Sequence, residues 1–303
     1  MMTNPKNQIP TVSIGMPVYN GEKHIREALD SLLAQTYTDF ELIISDNAST
    51  DATSEICKEY ASRDNRIRYI RQPKNQGAPF NFHFVLKESK GKYFMWAAHD
   101  DNRLPQHIEK LMNIHRSGIY LLVASQCAMF NQQGKEILIK PTSPELFCGT
   151  PRESFKNFMM LHHFTYAKAN MVYGIFLREV LIDKPIFTEV HMDIGVDHVL
   201  LMRIIAEGPV YFLPEITWER NIRPASLRVY PLFGGLKQKI SLRVMRFQQI
   251  KQYTGVINDI INQHWSGRSA MYLKFLNLIN QGRIFWAYTK PTLIFKWLLG
   301  QKI

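Results

Sequence analysis

Cysteine is scarce in this chain: Cys57, Cys127 and Cys148 are the only three in 303 residues. The number is odd and the spacing matches no metal-ligand pattern, which fits a reducing compartment better than a disulfide framework. Long apolar runs are also missing. No uninterrupted stretch reaches the about 18 residues that suggest a membrane-spanning helix. The opening residues, Met-Met-Thr-Asn-Pro-Lys-Asn, hold no apolar signal-peptide core. No segment is low in complexity and no internal repeat is visible, so disorder is expected only in the first several residues. Acids are the minority, 26 against 37 Lys and Arg, for a net charge of +11. That leaves nucleic acid, anionic lipid or a phosphorylated small ligand as partners. The 46% of hydrophobic residues is enough for one sizeable core or two modest ones. The composition predicts a cytoplasmic α/β protein with a basic surface.

What is present begins with a regular alternation. Val12, Ile14, Met16 and Val18 predict a strand over Thr11–Val18. Asn20 is placed to cap the following helix, whose apolar stripe is Ile25, Leu29, Leu32 and Leu33. A second strand, Phe40–Ile44, runs into Ser45-Asp-Asn-Ala-Ser-Thr-Asp51, where Ser49 or Asp51 caps a second helix. A third strand over Arg66–Arg71 and a Phe-rich helix over Pro79–Lys90 follow. A fourth apolar run then ends at Asp100, with Pro105 in the first turn of the next helix. This βαβαβαβ order predicts a mostly parallel sheet with right-handed crossovers.

After Tyr120 the rhythm changes. Tyr120–Phe130 and Glu136–Lys140 flank Asn131-Gln-Gln-Gly134, which predicts a hairpin and a small antiparallel addition. A strand over Met171–Phe176, a loop over Pro185–Val196, a helix over Asp197–Glu207 and a strand at Val210–Leu213 come next. From about Leu236 the chain reads as helical and basic, and a boundary is set near Ser226.

The chemistry concentrates where two of these strands end. Asp100 and Asp101 close an apolar run that reads as a buried strand, and in open α/β sheets ligands sit at such carboxyl ends. Charges there need a cationic partner, for which a divalent metal is the obvious candidate. Asp46, Asn47, Ser49 and Asp51 leave the second strand at the same edge. Turn formation and helix capping also account for these residue types. Arg68, Arg71 and Lys74 lie near that edge and suit phosphate.

Pro17-Val-Tyr-Asn20, Leu32-Leu-Ala-Gln-Thr36, Ser45–Asp51, Asn75-Gln-Gly77 and His99-Asp-Asp101 together resemble the family 2 glycosyltransferases of the GT-A fold over roughly residues 10–225. The resemblance implies a Rossmann-like, mostly parallel sheet flanked by helices, with the antiparallel addition and a helical C-terminal segment. Its domains would be a tail at 1–10, a catalytic domain at 11–226 (nucleotide-binding half 11–117, acceptor half 118–226) and a basic helical region at 227–303. It also implies an inverting transfer from a UDP-, dTDP- or GDP-sugar to a hydroxyl on a glycan or lipid-linked acceptor, in cell-surface polysaccharide or glycolipid synthesis. Nucleotide contacts map onto Pro17, Tyr19, Asn20, Asp46 and Asn47, and Arg71, Asp100 and Asp101 are expected to join them in binding the donor. Asp100 takes the position of the ligand to Mg²⁺ or Mn²⁺.

Two positions depart from the family pattern. Ala98 stands where an acid often begins the metal motif, which leaves the metal fewer protein ligands; Mg²⁺ commonly binds through one or two carboxylates plus phosphates. Asn47 stands where a second Asp is frequent, and keeps an acceptor while adding a donor. His99 either points at ribose or fills space beneath the site. By resemblance Asp197, opening its helix, is the base, with Asp193 as rival; Arg220 and Arg223 resemble a segment that closes over the diphosphate. His162 and His163 are adjacent, which is unsuited to chelating one ion. The tail mixes Lys and Arg with Trp286 and Trp297. It suits either the inner surface of an anionic membrane or a basic helical cap on the catalytic domain. The alternative to an enzyme is a non-catalytic scaffold that holds nucleic acid or anionic lipid, but a phosphate-backbone binder would keep acids out of its site.

Overall fold

The computed structural model describes residues 9–130, 136, 147, 149–161, 170–182, 184, 196–221 and 236–289. Along the chain run β1 (Val12–Val18), α1 (Ile25–Leu33), β2 (Phe40–Asp46), α2 (Thr53–Arg63), β3 (Ile67–Arg71) and α3 (Ala78–Lys87). Next come β4 (Tyr93–Trp96), β5 (Asp101–Arg103), α4 (His107–His115), β6 (Leu122–Phe130) and α5 (Pro151–Met160). A 3-10 turn (Met171–Tyr173), β7 (Ile175–Leu177), α6 (Glu179–Ile182), α7 (Val196–Glu207) and β8 (Val210–Asn221) follow, and two long helices, α8 (Leu236–His264) and α9 (Gly267–Thr289), come last.

The eight strands form one sheet in the order β3-β2-β1-β4-β7-β6-β8-β5. The first four are parallel to one another, as the alternation predicts, and β6 also runs parallel to β8. The antiparallel pairs are β4/β7, β6/β7 and β5/β8. The expected hairpin partner, Glu136–Lys140, lies outside the described residues except for Glu136, which bridges Phe130.

Every residue of β1 is buried, because helices cover both faces of a parallel sheet. The side-chain period of two separates the layers. Val12, Ile14, Met16 and Val18 meet α1, α2 and α4 on one face, while Phe94, Trp96 and Ile43 join α3, α5, α7 and α8 on the other. Gly15 lets α3 approach that second face: a Cβ there would stand 2.7 Å from a Val85 methyl. Ile250, Tyr253, Ile257, Ile260 and Ile261 of α8 and Leu273 of α9 belong to the same core as α5 and α7, so one side of the C-terminal pair packs on the sheet domain. Among the described residues no helix is long and apolar enough to cross a membrane.

Three local expectations are corrected. The fourth strand stops at Trp96, short of Asp100. Ala97 donates its N–H to the Gly15 carbonyl, and the next rung would need an N–H from Pro17, which has none. The chain therefore leaves the sheet at Ala97, and Asp101 begins β5 instead. Asn20 does not cap α1; it has a left-handed backbone (φ 51°) and His24 occupies the cap position without a side-chain bond. Met171–Tyr173 forms a 3-10 turn, and the strand starts only at Ile175.

Candidate active site

The carboxyl ends of β3, β2, β1 and β4 are adjacent, and they bring the first-half candidates to one edge. Val18 is in register with Asp46, and Asp46 with Arg71. Pro17, Tyr19 and Asn20 leave β1 there, Asp46 and Asn47 leave β2, Arg71 ends β3, and Asp100 follows β4. Pro17 is buried in the β1–β2 pairing opposite Ser45, whereas Tyr19 and Asn20 are exposed.

The first two loops are bonded to each other. Asn20 N–H donates to Ser49 Oγ at 2.9 Å, and Thr50 N–H donates back to Asn20 Oδ1 at 2.9 Å. Gly21 N–H donates to Thr53 Oγ1 and Glu22 N–H to Asp51 Oδ2. Asp51 also accepts from Thr53 N–H, so it secures both the start of α2 and the loop before α1. Burial raises its carboxyl, but the bonds from Thr53 and from backbone N–H groups outweigh this and hold it below the usual Asp value. Ala48, between these bonds, is held at φ 60°, a conformation that L-residues seldom adopt.

Asp46 is fully buried and its oxygens are occupied by protein. Oδ1 accepts from Ser49 N–H at 2.8 Å, and Oδ2 accepts from Tyr69 Oη at 2.9 Å and Arg71 Nη1 at 3.2 Å. Arg71 also donates to the Ser49 carbonyl, with its guanidinium half exposed. Burial pushes the Tyr69 hydroxyl up to about 12, opposed by Ser54 and assisted by the Asp46 charge. Asn47 joins this loop to the next: Nδ2 donates to Asn75 Oδ1 and the Gly77 carbonyl, and Oδ1 accepts from Gln76 N–H. Arg68, read as a phosphate candidate, is instead paired with Glu88 at the end of α3.

The segment after β4 is positioned from both sides. The His99 ring lies against Gly21, where a Cβ would stand 2.6 Å from Cδ2. The ring is partly buried there, which fits the space-filling role. Asp100 is half exposed, and its carbonyl accepts from Asn221 Nδ2. Asp101 is buried in β5, opposite Arg220 of β8. Burial pushes its carboxyl up to about 6, against the pull of the Arg103 and Arg220 cations. Arg103 is buried too, with its guanidinium 4.3 Å over the Trp218 ring. Arg220 stacks on Tyr173 and donates to Asn170 Oδ1. It is thus engaged beneath the carboxylates, and Arg223 lies outside the described residues.

Asp197 sits in the first turn of α7, half buried, and its Oδ1 accepts from His198 N–H at 3.0 Å. α7 packs on α5 and α8 and touches the turn that carries Tyr173. Asp193, the His162-His163 pair and most of the preceding loop lie outside the described residues.

Side chains to which the sequence reading gave no structural role hold these loops in place. Asn81 Nδ2 donates to the Ser45 carbonyl, and its Oδ1 accepts from Ser45 Oγ. Gln35 Nε2 donates to the Leu104 carbonyl and its Oε1 accepts from Ile108 N–H, which fixes the chain after β5. The apolar surroundings of both were legible, but no sequence signal says that a polar side chain turns inward.

A divalent metal at this edge would draw on few protein ligands. Among the described residues no three His, Cys, Asp or Glu side chains converge as a metal-binding group. Asp100 at the open edge fits a metal whose other ligands are diphosphate oxygens, and does not fit an all-protein cage.

Residues 13–177 match Glycosyl transferase family 2. An uncharacterised glycosyltransferase of Rickettsia prowazekii is 30% identical over 223 residues, covering 71% of this chain and 65% of that protein. The chain spans only 15% and 32% of related glycosyltransferases from Rickettsia bellii and Rickettsia typhi. Among solved structures, Staphylococcus aureus TarS in complex with UDP-GlcNAc superposes with a TM-score of 0.56 at 16% identity, covering 96% of this chain and 92% of that one. The mannosyltransferase PcManGT of Pyrobaculum calidifontis, in complex with GDP-Man and Mn²⁺, gives 0.54 at 16% identity over 95% and 76% of the two chains. At such identities the structures speak for the fold, GT-A. The family match covers more than half of the sequence, and the chain belongs to glycosyl transferase family 2.

Proposed function

We propose that this protein is an inverting glycosyltransferase that moves a sugar from a nucleotide-diphosphate donor to a hydroxyl of a glycan or lipid-linked acceptor. The observation that carries the reading is the convergence of three loops on one sheet edge: Pro17–Asn20, Asp46–Asp51 and His99–Asp101. Fold relatives hold UDP-GlcNAc, or GDP-Man with Mn²⁺, which supports a nucleotide-sugar donor here.

The exposed Tyr19 and Asn20 line the nucleotide, on a loop kept rigid by Ser49, Thr50 and Asp51. Asp46 and Asn47 act on that pocket mainly by shaping it, since their side chains are bonded to Tyr69, Arg71 and the Asn75–Gly77 loop. Asp100 would hold Mg²⁺ or Mn²⁺, which would supply positive charge to neutralise the diphosphate. Asp197 takes the proton from the acceptor hydroxyl as that oxygen attacks the anomeric carbon. The bond from that carbon to the diphosphate breaks, its electron pair stays with the diphosphate, and the configuration inverts. The setting is cell-surface polysaccharide or glycolipid synthesis at the cytoplasmic face of the cell membrane.

Thermal-shift measurement with UDP, dTDP and GDP, with and without Mn²⁺, tests the reading. Stabilisation by one nucleotide that grows with Mn²⁺ is expected. Indifference to all three, with salt-sensitive binding of DNA, would replace the enzyme by a nucleic-acid-binding scaffold.

A further inference from the structure

The last described helix has two opposed apolar faces. Ala270 and Leu273, with Asn277 and Asn280, are buried against the domain. Asn277 Nδ2 donates to the Thr254 carbonyl and to Asn258 Oδ1 of α8, so that face is fixed. On the other side Met271, Phe275 and Leu278 are 72%, 60% and 61% exposed, flanked by Tyr272 and Ile279. The spacing i, i+4, i+7 makes these residues one stripe along a helix. Single exposed apolar residues are ordinary; five contiguous large ones on one helix form a patch of the kind that marks a contact surface. The exposed apolar stripe has no cover among the described residues.

Charge identifies what covers it. Residues 236–303 contain eleven Lys and Arg and a single acid, Asp259, a net +10 out of the chain's +11. α9 itself has no acid. Arg268 and Lys274 are exposed beside the stripe, and the Arg152 guanidinium lies 5.9 Å over the Tyr272 ring at its edge. A second copy of the same face would bring like charges together, whereas an anionic surface would meet both the cations and the apolar stripe.

We infer that α9 lies in the interface of an anionic lipid bilayer, with Phe275 and Leu278 entering the acyl boundary and Arg268, Lys274 and Arg152 facing the lipid phosphates. The helix lies on the membrane and does not span it. The sequence that follows, Lys290–Ile303, continues the same composition, with Lys290, Lys296 and Lys302 among Phe295, Trp297 and Leu298. This contact names the surface behind the membrane-face location proposed above, and it keeps the sheet domain beside a lipid-linked acceptor.

The test is co-sedimentation of the full chain with phosphatidylglycerol vesicles and with phosphatidylcholine vesicles, at low and high salt. Binding to the anionic vesicles that weakens with salt is expected, with at least a tenfold loss in Phe275→Glu/Leu278→Glu and a smaller loss in Lys274→Glu. These side chains are solvent-exposed, so the melting temperature and nucleotide response of the variants should stay at wild-type values; that readout separates lost docking from lost folding. Failure of the wild type to bind anionic vesicles, or equal binding by the double variant, overturns the inference. A wild-type dimer in light scattering that the double variant abolishes, without vesicle binding, would assign the stripe to a second copy. Vesicle binding is read without transfer, so this surface and the proposed reaction fail independently.

Discussion

The imidazole of His99 is seated against Gly21, which leaves no room for a side chain at that glycine: a Cβ would fall 2.6 Å from His99 Cδ2 and 2.8 Å from a Val18 methyl. This contact couples the loop after β1 to the segment carrying Asp100. Gly21→Ala must displace His99 or the loop, at a cost of about 1–3 kcal/mol for overpacking. Nucleotide binding should weaken at least tenfold, and His99→Ala in the same chain should restore part of it, the Val18 methyl still crowding the new Cβ. If the double variant binds no better than Gly21→Ala, the two segments are not coupled through this contact.

Asp46 anchors the loop after β2. Removing its buried carboxylate in Asp46→Ala leaves Ser49 N–H without its acceptor and the Arg71 cation without its acid. The expected loss is about 3 kcal/mol, in the range for breaking a buried hydrogen-bonded charge. Tyr69→Phe removes one bond to the same oxygen and should cost only about 1 kcal/mol. Denaturant unfolding measures both. Equal losses would mean that Tyr69, rather than Asp46, holds the loop.

Much of the first half was legible because β1, β2 and β4 are largely apolar segments that run into polar turns. The edge that gathers Asp46, Arg71 and Asp100 follows from that order and from right-handed crossovers. Less legible was where β4 stops, which depends on the missing Pro17 N–H, a property of the neighbouring strand and not of the run itself. The inward roles of Gln35, Asn81 and Arg103 were hidden for a similar reason. Their polarity suggests surface, and only the assembled layers supply their partners. Arg103 had one available signal: two residues from Asp101 in an extended segment, it had to share that residue's face. The basic, helical character of α9 was visible, but which of its sides packs is decided by Asn277 and α8.

His107 gives the fold an acid-sensitive point. Its Nδ1 lies 2.7 Å from Thr217 Oγ1, and Nε2 is buried without a hydrogen-bond partner. Burial, with the nearby Arg103 charge, holds the imidazole well below the usual 6.5. Below pH 6.5 the unfolded chain takes up a proton that the folded chain refuses, so stability falls as pH drops through that value, by at most about 1.4 kcal/mol per pH unit. His107→Gln removes this titration. Between pH 7.5 and pH 5 the unfolding free energy of the variant should therefore rise relative to wild type. A constant difference would show that His107 protonates equally well in both states.

Asp100 and Asp197 are assigned different steps, and substitution should separate them. Asp100 stands at the donor edge, so Asp100→Asn should abolish the extra stabilisation that Mn²⁺ gives to the nucleotide complex and should raise the donor KM. Asp197 opens α7, and its proposed role is on the acceptor. Asp197→Asn keeps the side chain's shape and an acceptor for His198 N–H while removing the base. The rate should then fall by about 10²–10⁴-fold, the usual contribution of a general base, with donor affinity and Mn²⁺ response unchanged. Equal loss of donor binding in both variants would place Asp197 in the donor pocket. Undiminished turnover in Asp197→Asn would remove it from the reaction and leave Asp193 as the carboxylate to test.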